Sequence, residues 1–398
     1  MNLGLRILLA ASTLMLGFAG GASATMCGTQ NYPFPYTDVG SVGDAFCPGI
    51  MEAYVLGVSK GTTATTFSPN QDVPRLQMTT FLQRSIDQTL KRSNRRAALG
   101  QWWTPRTSAA RVTLDLPGVG GGVFCRSDGE RVWVGNETKL VAVSATSGQL
   151  LYSFTMSPDN AYGVLPVNGF VYVTSPGSGR LVQLFKTFEI PYIESMSFFG
   201  PLGYQPNNLA FDGDRIWTAN YNNGSISILP TSGGVPSAPG TVIGGFSLPA
   251  DVVYDGGNIW VSEGGADRIR KLDAGGAVLQ TVAVGDNPAY MTFDGANLWV
   301  PNNNASSVSV VQVATGAIVA TIAADGANRL SNPIQAAFDG ERILVTNHGN
   351  DSVTVFRAAD LSLIANVQLP TGSQPWGACS DGISFWVTLR GTNKLVRF

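Results

Sequence analysis

One phrase recurs along the chain. It reads FDGDRIWTANYNNGSISI at 211–228, and returns as YDGGNIWVSEGGADRIRKL, FDGANLWVPNNNASSVSVV and FDGERILVTNHGNDSVTVF. Taking the Gly of each Asp-Gly-like turn as a register mark places it at Gly129, Gly169, Gly213, Gly256, Gly295, Gly340 and Gly382. The steps between marks run from 39 to 45 residues. Units of this length built from short strands are the pattern of β-propeller blades.

Each unit parses into four strands. A small apolar strand such as NNLAF or ADVVY ends in Asp-Gly, where positive φ suits a tight hairpin. A second strand carries an aromatic at fixed offset: Trp133, Tyr172, Trp217, Trp260, Trp299 and Trp386, with Leu344 the exception. A polar loop, a third alternating strand (SISIL, SVSVV, SVTVF) and a fourth strand follow, often before an X-Pro pair such as Asn287-Pro288. A blade alone cannot bury both faces, so the aromatic is expected to wedge between neighbours while the loop after it varies on the rim. The last unit stops at Phe398 after three strands, and an orphan strand, Arg111 to Leu116, precedes the first. Pairing the two would close a ring of seven blades over 111–398.

The cysteines give an independent check. Cys125 lies three residues before Asp128 and Cys379 two before Asp381, both in inner strands. Their parity differs, so they point from opposite faces, as adjacent blades require. A Cys125–Cys379 disulfide closing the ring is expected; two buried free thiols are the alternative.

Composition narrows the function. Charged residues make up 13% and the formal net charge is −2, which disfavours a nucleic-acid partner. Residues 1–24 read as an export signal: Arg6, the apolar run ILLAASTLMLGF, then Ala22–Ala24 as a cleavage site. No other segment is apolar enough to span a bilayer. Four cysteines without CxxC spacing and a single His favour disulfides over a metal centre.

Residues 25–92 read as a small helical module. DAFCPGIMEAYVLGV has helical spacing, a turn-rich stretch follows, and a second helix starts at Pro74 with Met78, Phe81, Leu82 and Ile86 as its stripe. A unit this small would welcome a Cys27–Cys47 clip. Residues 93–110 form a linker.

Two resemblances follow from these motifs. YTDV at 36–39, AYVLGVSKG at 53–61, FSPNQDVPR at 67–75 and FLQR at 81–84 resemble an S-layer homology module. That resemblance implies cell-envelope attachment through a wall polysaccharide, with Asp38 and Arg75 as polymer-binding positions. Pro74 and Gln77 replace the Thr and Glu of the family motif. The repeated FDGxxIWVxN phrase resembles the YVTN, NHL and virginiamycin B lyase propellers, a superfamily of lyases, lactonases and binding scaffolds.

Counting three residues past each wedge gives Asn136, Ser175, Asn220, Glu263, Asn302, Asn347 and Leu389, a polar ring expected at one channel mouth, with His348 beside Asn347. Amides there can bind a protein or glycan, or serve their own turns. The expected function is an exported, non-enzymatic envelope protein with no cofactor. The alternative is a secreted or periplasmic lyase or lactonase with a metal near Glu263.

Overall fold

The structure, a computed structural model, describes residues 112–398 apart from 119, 158, 168–169, 186–195, 200–204, 233–234 and 237–239, and scattered residues between 25 and 71. The chain divides into two compact units, Met1–Gln101 and Trp102–Phe398.

Seven sheets make up the second unit. Blade one holds Phe124–Ser127, Arg131–Asn136, Lys139–Ser144 and Leu150–Thr155, each antiparallel to the next. Blades two to six repeat this order, starting at Val164, Pro206, Pro249, Thr292 and Pro333, and blade three adds a fifth, two-residue strand, Val235–Pro236, against the end of its third strand. Blade seven holds Pro375–Ser380, Phe385–Leu389 and Lys394–Arg397, and its outer strand is Val112–Asp115 from the other end of the domain. Val112 faces Arg397 and Asp115 faces Lys394, so the ring closes as the sequence predicts. The Cys125–Cys379 disulfide joins the same two blades over 254 residues of chain. In the chain-entropy account a loop of that length stabilises the fold by about 5 kcal/mol.

The expected wedge residues are buried, and there is one for each of the seven blade interfaces. Trp217 packs into Val252, Ile259 and Val261 of the following blade; Trp299 into Ala336, Ile343 and Val345; Tyr172 into Leu209 and Ile216. Trp386 closes the circle against Cys125 and Val132 of blade one. The second strand of each blade therefore has both faces covered, which accounts for its unbroken buried run, while outer strands such as Leu150–Thr155 and Ile318–Ala323 stay partly exposed.

The Asp-Gly turn does more than reverse the chain. Its Gly is the first of two central residues and carries positive φ, 93° at Gly129 and 106° at Gly213. A Cβ there would meet nothing within 4 Å, so the backbone angle alone selects Gly. The Asp stands just before, as the flanking residue. One oxygen of Asp212 accepts the N–H groups of Asp214 and Arg215 at 2.9 and 2.7 Å; the other accepts the indole N–H of Trp217 at 2.8 Å. Asp128, Asp255, Asp294 and Asp381 hold Trp133, Trp260, Trp299 and Trp386 in the same way. A Trp five residues after the Asp can thus be buried with its polar atom paired.

In the first unit a hairpin, Thr25–Cys27 with Gln30–Tyr32, is tied to Cys47 by a disulfide from Cys27. Around the bridge lie Tyr36, Val39 and Ile50, with Val42 and Phe67 packed against them. The Ile50 N–H donates to the Phe46 carbonyl at 3.0 Å, a single bond that does not establish a helix. Most of the residues expected to form the first helix, and all of those expected to form the second from Pro74, lie outside the described residues, whose elements include no α-helix. The architecture described is therefore mainly β, and the helical character expected of the module finds no support in it.

Candidate ligand-binding site at the propeller mouth

The second strand of each blade ends three residues past its wedge. That last strand residue is still inside the sheet stack, and Asn136, Asn220, Glu263, Asn302 and Asn347 are all fully buried. Their side chains stitch the blade together. Asn220 donates to the hydroxyls of Ser225 and Ser227 at 3.0 and 2.9 Å; Asn302 does so to Ser307 and Ser309; Asn347 to Ser352 and Thr354. Asn136 donates to the Pro117 carbonyl at 2.8 Å. Glu263 accepts the Ser247 N–H at 2.8 Å and lies 3.0 Å from Arg268 and 2.6 Å from Arg270. Burial raises the Glu263 carboxyl, against the Ser247 and Arg268 hydrogen bonds that favour its charge. A carboxylate so enclosed has no open side for an ion. Among the described residues, no three His, Cys, Asp or Glu side chains gather as a metal site would require.

The mouth is built from the next residue along, the fourth past the wedge, where the chain leaves the sheet. Those positions are Glu137, Pro176, Tyr221, Gly264, Asn303, His348 and Arg390. Four of them, Glu137, Pro176, Tyr221 and Asn303, line a cavity of about 520 Å³. The remaining wall comes from the start of the inner strands and the residues before them: Tyr162, Asn207, Ala250, Tyr290, Ile334 and Trp376. Several of these directly follow a Pro, as in Pro206-Asn207, Pro333-Ile334 and Pro375-Trp376. The X-Pro pairs that punctuate the repeat were therefore the signal that marks the wall. His348 is half-buried, its ring edge-on to Trp376 at 5.5 Å.

Aromatic rings form the floor. Phe124 meets Tyr290 at 4.5 Å and Tyr162 at 5.8 Å, both edge-on. Val123, Ala250, Ala289 and Ile334 complete this plug around the axis. The Arg126 guanidinium, close enough to Asp251 to feel its charge, is held below its ordinary range by burial, partly offset by that carboxylate. Asp251 accepts from Asn208 at 2.7 Å, from the Val252 N–H at 2.8 Å and from the Met291 N–H at 2.8 Å, drawing three blades together. Burial pushes it up to about 6 in spite of Arg126 and these bonds.

The mouth carries little net charge. Arg390 and Glu137 pair at 2.9 Å across the blade seven–one seam, and the Arg390 guanidinium lies 4.8 Å over the Trp376 ring. Burial and Arg390 together hold the His348 imidazole below its usual range, against the pull of Asp351. Neutral amides and aromatic rings dominate what remains.

In the first unit both oxygens of Asp38 are engaged, accepting the Phe67 and Ser68 N–H groups at 2.8 and 2.7 Å. Burial opposes its charge, but these two bonds win and its carboxyl lies below the usual range. Asp38 thus pins the FSPN loop to the YTDV segment. Arg75 lies outside the described residues.

A family model for the S-layer homology domain matches residues 35–79. An endoglucanase from Bacillus sp. (strain KSM-635) is 38% identical over 82 residues, 21% of this chain and 9% of the endoglucanase. This chain thus spans under a tenth of that relative's length. Among solved structures, a streptogramin B lyase is 17% identical with a TM-score of 0.61, covering 72% of this chain and 96% of its own. A catalytically inactive virginiamycin B lyase from Staphylococcus aureus, solved with quinupristin, is 14% identical with a TM-score of 0.60, covering 72% and 98%. At such identities the likeness is one of fold. Residues 35–79 are an S-layer homology domain, and the described residues of 112–398 fold as a seven-bladed β-propeller of the kind seen in virginiamycin B lyase.

Proposed function

We propose that this is an exported protein held at the cell surface by its S-layer homology domain, with the propeller mouth presented as a binding site for a protein or glycan. The observation that carries the tether is the domain match over 35–79. Residues 1–24 act as the export signal, 93–110 as linker, and the wall polysaccharide as the polymer bound, with Arg75 contacting it. Asp38 contributes by holding the loop that leads to Arg75 in shape. At the mouth, an aromatic floor ringed by amides suits binding without chemistry. Glu263, beside which the alternative reading puts a metal, is paired with two arginines.

Co-sedimentation of the mature chain with purified wall polymer tests the tether. Retention of the native chain, reduced about tenfold by Arg75→Ala, is expected. Equal retention of both would end the assignment to Arg75, and no retention of either would end the tether.

A further inference from the structure

We infer that the mouth cavity is a binding site for a neutral carbohydrate of about disaccharide size. This deepens the reading above and rests on it for the mouth as the binding face.

Three observations converge. First, the volume of about 520 Å³ falls within the range of small-molecule sites. Second, the wall has no uncompensated charge. Glu137 is paired with Arg390, and His348 is biased to its neutral form. Charged sugars and acidic or basic peptides would find no counter-ion. Third, the wall combines aromatic rings with amides. Tyr162, Tyr221, Tyr290 and Trp376 supply apolar surface, and Asn160, Gln205, Asn207, Asn287 and Asn303 supply both donors and acceptors. A pyranose presents the same combination, C–H faces bordered by hydroxyls that donate and accept.

Two wall residues hold polar atoms in reserve. Asn207 is 7% exposed and donates its amide N–H to the Tyr290 hydroxyl at 2.9 Å, yet its Oδ1 has no partner among the described residues. The Trp376 indole N–H also has none. The five second-strand Trp residues, Trp133, Trp217, Trp260, Trp299 and Trp386, each have the N–H on an Asp, whereas Trp376, in the inner strand of blade seven, has no such acceptor. One is an acceptor and the other a donor; both atoms are enclosed in the wall, and a turn of either side chain would present it to a sugar hydroxyl. A buried polar atom left unpaired is costly, and pairing it on binding recovers that cost.

Calorimetry on the mature chain, against neutral di- and trisaccharides including cellobiose, maltotriose and N,N′-diacetylchitobiose, tests this. Expected is 1:1 binding of at least one, with indole fluorescence changing on titration. Trp376→Phe keeps a ring and removes the N–H; Asn207→Ala removes the acceptor. Each should weaken binding about tenfold. Thermal melting identifies either variant that fails to fold, and the other then stands alone. Wall-polymer retention should be unchanged in both, which separates a failure here from a failure of the tether. The inference is overturned by no binding across the panel at about 10 mM, by affinities untouched in both folded variants, or by a blocked neutral peptide binding where the sugars do not.

Discussion

Blades five and six solve one packing problem with different residues. In blade five Trp299 fills the interface, and its indole N–H lies 2.8 Å from Asp294. In blade six the equivalent wedge is Leu344, which has no donor. Asp339 nevertheless keeps its place before the turn. Its first oxygen accepts the Glu341 and Arg342 N–H groups at 3.0 and 2.7 Å, and its second takes the Arg342 guanidinium at 2.7 Å through Nε. That guanidinium is 4% exposed and lies 5.2 Å over the Phe385 ring of blade seven. Phe385 stands where blades one to six carry Val132, Val171, Ile216, Ile259, Leu298 and Ile343. The smaller wedge is therefore matched by a larger neighbour in the same cluster. Six of the seven units keep a carboxylate before the turn that takes a donor from the second strand; blade two has Asn168 there, with Tyr172 as its wedge. The wedge itself can be exchanged if volume and hydrogen bonding are balanced nearby.

The contrast can be broken most strongly at the carboxylate. Asp339→Ala should destabilise blade six by about 3–5 kcal/mol, because it strips a buried cation of its partner. Asp294→Ala in blade five removes turn bonds and leaves a neutral N–H without its acceptor, and should cost about 2 kcal/mol. Urea unfolding of the two variants compares them directly; equal losses would show that Arg342 and Trp299 are not energetically different partners.

Volume offers a finer test. Leu344→Trp overfills the blade six–seven interface and should cost about 2 kcal/mol, while Phe385→Val leaves a void of similar consequence. The double variant should recover at least about 1 kcal/mol of the summed loss. Simple additivity in a double-mutant cycle would mean that the two positions do not share one space.

The smallest effect distinguishes the loops. Blade six has His348 at the fourth position past its wedge, blade five Asn303. Burial and Arg390 lower the folded-state pKa of His348, so below about pH 6.5 the unfolded chain binds the proton first. Its contribution to stability should therefore fall as pH drops through that range. His348→Asn should flatten the difference between stabilities measured at pH 7 and pH 5.5; an unaltered slope would remove His348 from the account.

Much of the ring could be read from the chain because its causes are local and repeated. Asp-Gly at a fixed distance before an aromatic encodes both hairpin and wedge, and the parity of Cys125 and Cys379 points to the bridge that the structure contains. The mouth was harder to read. Period-two alternation says which face a strand residue takes, but in a blade covered on both sides each face is buried. The sequence therefore leaves Asn220 and Asn302 open between ligand contact and a local turn role, and in the structure they brace the hairpin that follows. The cavity starts one residue later, at Tyr221 and Asn303.

The sequence by itself determined seven four-stranded units, their closure between Val112–Asp115 and Lys394–Arg397, and an S-layer homology domain ahead of them, because each is written in short-range spacing. Only the tertiary structure decided that Asn207, Tyr290 and Trp376, from blades three, five and seven, stand around one cavity. Their proximity depends on how far each inner strand reaches along the axis and on the twist accumulated between blades. Neither quantity is recorded in any single repeat.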